Sequence, residues 1–125
     1  MDSNISNYMQ NQLKQAQQIE IQLEQIESQR YQIDLRIKEL DKTLQELQKI
    51  TDGTQIYKSV GPILYGVSDK QKLIEELSEQ KELSEIRIKT LEKQQKTFED
   101  KYKEIEAQIK KTYDQGRKMG FIYPH

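Results

Sequence analysis

Along two stretches of this chain an apolar residue returns at alternating third and fourth positions, and no other feature narrows the fold so far. Counting heptads from Met9, the first and fourth positions are Met9, Gln12, Ala16, Ile19, Leu23, Ile26, Arg30, Ile33, Ile37, Leu40, Leu44 and Leu47. Ten of the twelve are apolar, and only Gln12 and Arg30 break the stripe. A strict seven-residue repeat keeps one narrow face turned toward a partner helix, which is the coiled-coil signal.

The second stretch repeats the pattern less cleanly. Its seam is Ile74, Leu77, Lys81, Ser84, Ile88, Leu91, Gln95, Phe98, Tyr102, Ile105, Ile109 and Thr112, eight of twelve apolar. Its outer face carries Glu85/Lys89, Glu92/Lys96, Glu99/Lys103 and Glu106/Lys110, four Glu-first pairs at i,i+4. Each such pair supports a helix by roughly 0.3–0.5 kcal/mol, and the spacing has no meaning on a strand. Charged residues at seam positions, Arg30 and Lys81, together with Gln95, fit a role in fixing register, the alternative being places where the two helices splay.

Local punctuation agrees. Asp52-Gly53 stops the first helix, with Gly53 available for a left-handed residue. Ser68-Asp69-Lys70-Gln71 fits a capping box with Ser68 as the N-cap. Both seams are equally long, ~57 Å at 1.5 Å per residue, and they reflect onto each other about the Val60–Gly61 bond. The economical arrangement is an antiparallel helical hairpin.

Its connection, QIYKSVGPILYGVS (Gln55–Ser68), follows other rules. A helix–helix turn needs only ~2–8 residues. This one is longer and has strand composition, with Ile56, Tyr57, Val60, Ile63, Leu64, Tyr65 and Val67. Two strands are expected, about 55–60 and 63–67, meeting near Gly61-Pro62. Pro62 belongs in the turn, at a bulge or at an edge, because it cannot donate to a ladder. A lone two-stranded hairpin is marginal, and its edges leave N–H and C=O groups unpaired. Pairing with hairpins of other chains would close a sheet or barrel and bury Ile56, Val60, Leu64 and Val67 or their alternates. The bland alternative is an apolar loop, at the cost of leaving many large side chains wet.

Composition sets the remaining bounds. The chain has 125 residues, one domain by length, with 20 basic and 21 acidic side chains. That balance gives no bulk attraction to nucleic acid or to anionic membrane. There is no Cys, hence no disulfide and no thiolate metal site. No apolar run reaches the ~20 residues that span a bilayer, and the first residues hold no apolar core of signal-peptide length. A soluble, cytoplasmic, elongated protein is expected.

The residues now carry a resemblance. Helix, then DGTQIYKSVGPILYGVSDKQ, then helix resembles the β class of prefoldin subunits, the archaeal β chain and its eukaryotic relatives. The hallmark is an aromatic–basic pair before a V/L-G-x-x-L strand, here Tyr57-Lys58 and Val60-Gly61-Pro62-Ile63-Leu64. Gly61-Pro62 and Asp52-Gly53 look most like the eukaryotic sixth-subunit type, with the second-subunit type as the alternative. The tail QGRKMGFIYPH departs from the family pattern. The resemblance implies a mainly α fold, a long antiparallel two-helix coiled coil with a central β-hairpin that oligomerises into a β-barrel. One prefoldin-like domain would cover residues 1–125: helix about 4–50, β-hairpin about 54–67, helix about 69–115 and tail 116–125. It implies a heterohexamer of two α-class and four β-class chains, with six coiled coils hanging from a double barrel. Such complexes hold non-native actin, tubulin and other unfolded clients without ATP and pass them to a cytosolic chaperonin. No cofactor is implied.

With the hairpin at the base, both chain ends would meet at the far tip of the coiled coil. The first helix offers Ile5, Tyr8, Met9 and Leu13 there; the second end offers Tyr113, Met119, Phe121, Ile122 and Tyr123. Apolar, adaptable side chains suit loose capture of unfolded chains. Met9 and Leu13 have a plainer account as the end of the seam, and Phe121 to Tyr123 as a fold-back onto it. Gly116 and Gly120 are expected to end the second helix before them.

Catalysis finds no support. His125 is the only histidine and the final residue, and neighbouring carboxylates such as Glu75/Glu76 and Glu99/Asp100 lie on a heavily charged helix face. No phosphate-binding glycine loop is present. Lys110-Lys111 and Arg117-Lys118 make too small a basic patch for nucleic acid. Two rival roles remain. One is a structural tether or scaffold subunit, which would bind one partner through defined tip contacts. The other is a prefoldin-like subunit of a transcription or chromatin complex.

Overall fold

The computed structural model describes residues 2–118, with side chains from Asn4 onward. Four elements follow one another: α1 (Asp2–Lys49), β1 (Ile56–Val60), β2 (Ile63–Val67) and α2 (Lys70–Lys118). Their contacts gather into two units, Met1–Gln29 with Leu91–His125 and Arg30–Thr90.

In the first unit α1 and α2 meet along the expected stripe. Ala16 and Ile19 pack with Ile105, and Leu23, Phe98, Tyr102 and Ile109 close around them. Every seam position from Met9 to Ile26 and from Leu91 to Thr112 is buried or half-buried, while most positions between are exposed. The seven-residue repeat therefore reads directly as the buried face. The helices run antiparallel, Ile5 and Tyr8 lying beside Gln108 and Thr112 while Ile19 and Gln22 lie beside Phe98 and Ile105, and the Tyr102 hydroxyl donates to Glu20 Oε1 at 2.7 Å. That hydrogen bond to a carboxylate, reinforced by desolvation, holds the Tyr102 proton to higher pH than an ordinary phenol. Gln12, one of the two breaks in the stripe, leaves its Oε1 buried with no hydrogen-bond partner among the described residues.

The second unit repeats the packing and adds the hairpin. Leu40 and Leu47 are its buried seam residues. Lys81, a charge at a seam position, turns out of the stripe and places its Nζ 2.6 Å from Asp41 Oδ1 and 3.8 Å from Glu85. The hydrogen bond to Asp41 is the chief reason its pKa lies above the usual lysine value. Arg36 donates to Gln80 Oε1 at 3.0 Å one turn away. These pairs link α1 to α2 across the seam.

The junctions differ in detail from expectation. α1 ends at Lys49, and the Lys70 ammonium donates to the Ile50 carbonyl at 2.8 Å, satisfying an acceptor that the helix end leaves over. Gly53 does adopt a positive φ of 90°, but in a turn beyond the helix, where the Thr54 N–H bonds the Thr51 carbonyl. A positive φ at the third residue of a four-residue turn is the type II requirement. The N-cap of α2 is Asp69, not Ser68: Asp69 Oδ1 accepts from the Lys72 N–H at 3.0 Å. Aspartate also suits the positive end of the helix dipole. Gly116 does not end α2. It lies inside the helix, buried, and the helix runs on to Lys118. The seam continues through it after Thr112, so packing carries the helix across glycine's ~1 kcal/mol helix cost. Gly120 and the tail beyond fall outside the described residues.

Leu91 is fully buried, whereas Leu35 on the outer face of α1 is 43% exposed. Leu91→Ala is expected to cost about 2–5 kcal/mol and Leu35→Ala no more than about 0.5, read as thermal unfolding by far-UV circular dichroism. Lys81→Leu should raise Tm by extending the apolar stripe, yet add non-native association states in sedimentation, because a register-fixing charge is gone.

Candidate functional site

The hairpin is built by a two-residue loop. β1 and β2 pair antiparallel without a bulge, Ile56 opposite Val67, Tyr57 opposite Gly66, Lys58 opposite Tyr65, Ser59 opposite Leu64 and Val60 opposite Ile63. That leaves Gly61 and Pro62 as the turn. Gly61 has φ of 56°, and proline's ring fixes φ near −65°, the sign pattern of a type II′ turn. Pro62 therefore sits where no ladder bond is asked of it.

Side chains alternate across a strand, so the register sorts the residues into two faces. Ile56, Val60, Ile63, Tyr65 and Val67 share one face with Lys58; Tyr57, Leu64, Ser59 and Gly66 share the other. Leu64 thus stands opposite Ile56, Val60 and Val67 rather than beside them, which corrects the grouping drawn from composition. Only Ile56 and Val67, at the hairpin root, are half-buried. Tyr57, Val60, Ile63, Leu64 and Tyr65 are exposed, Leu64 most of all at 68%.

A two-residue turn closes on a hydrogen-bonded pair, here Val60 and Ile63, and bonding alternates from there. The N–H and C=O groups of Tyr57 and Ser59 consequently point away from β1's partner, and those of Leu64 and Gly66 away from β2's. Two free edges flank two apolar faces. Among the described residues nothing covers them.

The second group of expected residues lies in the first unit, beside the chain's N-terminal turn. Ile5 and Tyr8 line one shallow depression with Lys111 and Thr112. Met9, Leu13 and Tyr113 line another with Ile109 and Lys110. Met9 is half-buried on the seam, consistent with its plainer account. Leu13 is off the seam and 49% exposed, and Tyr8 is 42% exposed. Met119, Phe121, Ile122 and Tyr123 lie outside the described residues.

Sequence reasoning passed over Ile21, Tyr31, Leu35, Leu83 and Ile86, all exposed. They occupy outer heptad positions, so the same count that found the seam marks them as apolar residues on the solvent side. Among the described residues no cluster of His, Asp or Glu could hold a metal ion. None of the described helices is long and apolar enough to cross a membrane.

The Prefoldin subunit family model matches residues 10–116, spanning both seams and the hairpin. The chain belongs to the prefoldin subunit family. It is 58% identical over 122 residues to prefoldin subunit beta of Thermoplasma volcanium, covering 98% of each chain. It is 55% identical over 120 residues to the same subunit of Thermoplasma acidophilum, covering 96% of this chain and 97% of the relative. The crystal structure of the prefoldin beta subunit from Thermococcus strain KS-1 superposes with a TM-score of 0.74 at 33% identity, over 83% of this chain and 90% of that one. These relatives carry the archaeal side of the resemblance. Since 122 of the 125 residues align with the first relative, most of the tail Gln115–His125 has a counterpart there, and the departure at the chain's end is a shared one. As a prefoldin subunit the chain is a component of a chaperone that assembles with other prefoldin subunits.

Val60 and Ile63 belong to neither seam and are exposed. Replacing both by Asp should leave the isolated chain's helicity intact and its unfolding free energy within about 0.5 kcal/mol of the parent, measured by far-UV circular dichroism in urea.

Proposed function

We propose that this chain is a β-class subunit of a heterohexameric, ATP-independent holding chaperone of the cytoplasm, with two α-class and three further β-class partners. Its hairpin joins theirs in a closed β-barrel. The paired chain ends capture unfolded clients of the actin and tubulin kind and release them to a chaperonin. Neither catalysis nor a cofactor enters.

The observation that carries this is the hairpin. Five large apolar side chains stand exposed on an in-register ladder with two unpaired edges. Such an edge invites another strand, and closure into a barrel removes it altogether. Burying those side chains would contribute on the order of 1.5–3 kcal/mol each. The exposed Tyr8 and Leu13 support the capture role, because non-directional apolar contact suits clients that share no sequence.

Native mass spectrometry of the chain mixed with an α-class prefoldin subunit tests the assembly. Six chains in one particle are expected, and the Val60→Asp, Ile63→Asp variant should be missing from it. A lone dimer, or incorporation into one large fixed complex, would favour a scaffold instead. For capture, the assembled particle should suppress aggregation of a guanidinium-unfolded enzyme without ATP. Tyr8→Asp with Leu13→Asp should weaken that suppression on the order of tenfold. Unchanged suppression would move client binding away from these residues.

A further inference from the structure

Gly66 has no explanation inside its own chain. Strand glycines lose packing and cost conformational entropy, so they usually mark a bulge, a special backbone angle or a close approach. β2 has no bulge, since its five pairs run without interruption. Among the described residues only Gly53 and Gly61 have positive φ, so Gly66 uses a backbone conformation open to any residue. A Cβ built on Gly66 would meet nothing within 4 Å. A β-branched residue here would serve the isolated hairpin better.

What distinguishes Gly66 is its place. It sits on the outer edge of β2, its N–H and C=O directed away from β1, next but one to Leu64, which shares both that edge and that face. Across the ladder stands Tyr57, 60% exposed. With no side chain at Gly66 and open space where a Cβ would stand, the outer edge beside Leu64 and across from Tyr57 is bare backbone on that face.

We propose that Gly66 is the seat for the edge strand of a neighbouring prefoldin hairpin, whose large side chain lies over the bare backbone between Leu64 and Tyr57. This rests on the assembly reading above and names the strand and residue through which it acts: the β2 edge is where a neighbour's backbone comes closest. The glycine serves the complex, and the isolated chain has no use for it.

Two measurements decide it. In the first, Gly66→Ala and Gly66→Val chains are compared with the parent, alone and mixed with an α-class subunit. Alone, both should keep the parent's helicity and Tm. In the mixture, the six-chain particle should weaken with Ala and fall by about tenfold or more with Val, as overpacking at a close-fitting contact requires. Assembly of the Val chain at parental yield overturns the proposal, as does loss of helicity in the isolated Ala chain, which would give Gly66 a role within its own fold. The second measurement needs no substitution. Amide exchange followed by NMR should find the Leu64 and Gly66 N–H groups fast in the isolated chain and at least about tenfold slower in the particle, with Tyr65 protected in both. Fast exchange at Gly66 in an intact particle also overturns the proposal. If the parent forms no particle at all, the assembly reading fails first, and the two failures are told apart.

Discussion

Two helices that meet along one stripe can each shield only the face turned to the other, so the seam stays open along both flanks. The consequence is visible in the burial: seam residues are mostly half-buried, and among the described residues Leu91 alone of the large side chains is fully enclosed. Stability in such a pair depends on length and on unbroken repetition, since each heptad adds little by itself. A polar residue at a seam position can reach the flank without leaving the helix. Lys81 does so and finds Asp41. A charge in the stripe is thus tolerated here where a globular core would exclude it.

The hairpin is subject to the opposite constraint. A seam is completed by its partner helix within the chain, but a two-stranded ladder has no third strand and no helix laid over it among the described residues. Its apolar side chains and outward amides make sense only in company. Prefoldin-family membership and the exposed ladder therefore reinforce each other: the family implies partners, and the physics of an uncovered sheet edge requires them.

Much of this was legible in the residues because coiled coils write their contacts at fixed spacing. Every seam position chosen from the repeat proved buried or half-buried, and the strands fell within a residue of where composition put them. At the helix ends the errors were local and of one kind. Choosing Ser68 over Asp69 as the cap, or stopping α2 at Gly116, meant applying residue preferences where geometry decided. Both residues of the Ser-Asp pair are good caps, and only the turn of the incoming chain selects between them. Gly116 is a poor helix former that the seam carries along.

Composition misled most over faces. It counted Leu64 with Ile56, Val60 and Val67 because all are apolar, whereas register is what assigns a side, and a one-residue change in loop length would exchange the sides. The register here is pinned by Gly61 and Pro62, one supplying positive φ and the other lacking the N–H that a strand would need. A seven-residue repeat fixes sidedness over dozens of residues at once, so a wrong residue here or there changes little. In a five-pair hairpin the whole of the sidedness rests on one turn. The same turn therefore selects which side chains any neighbouring strand would meet.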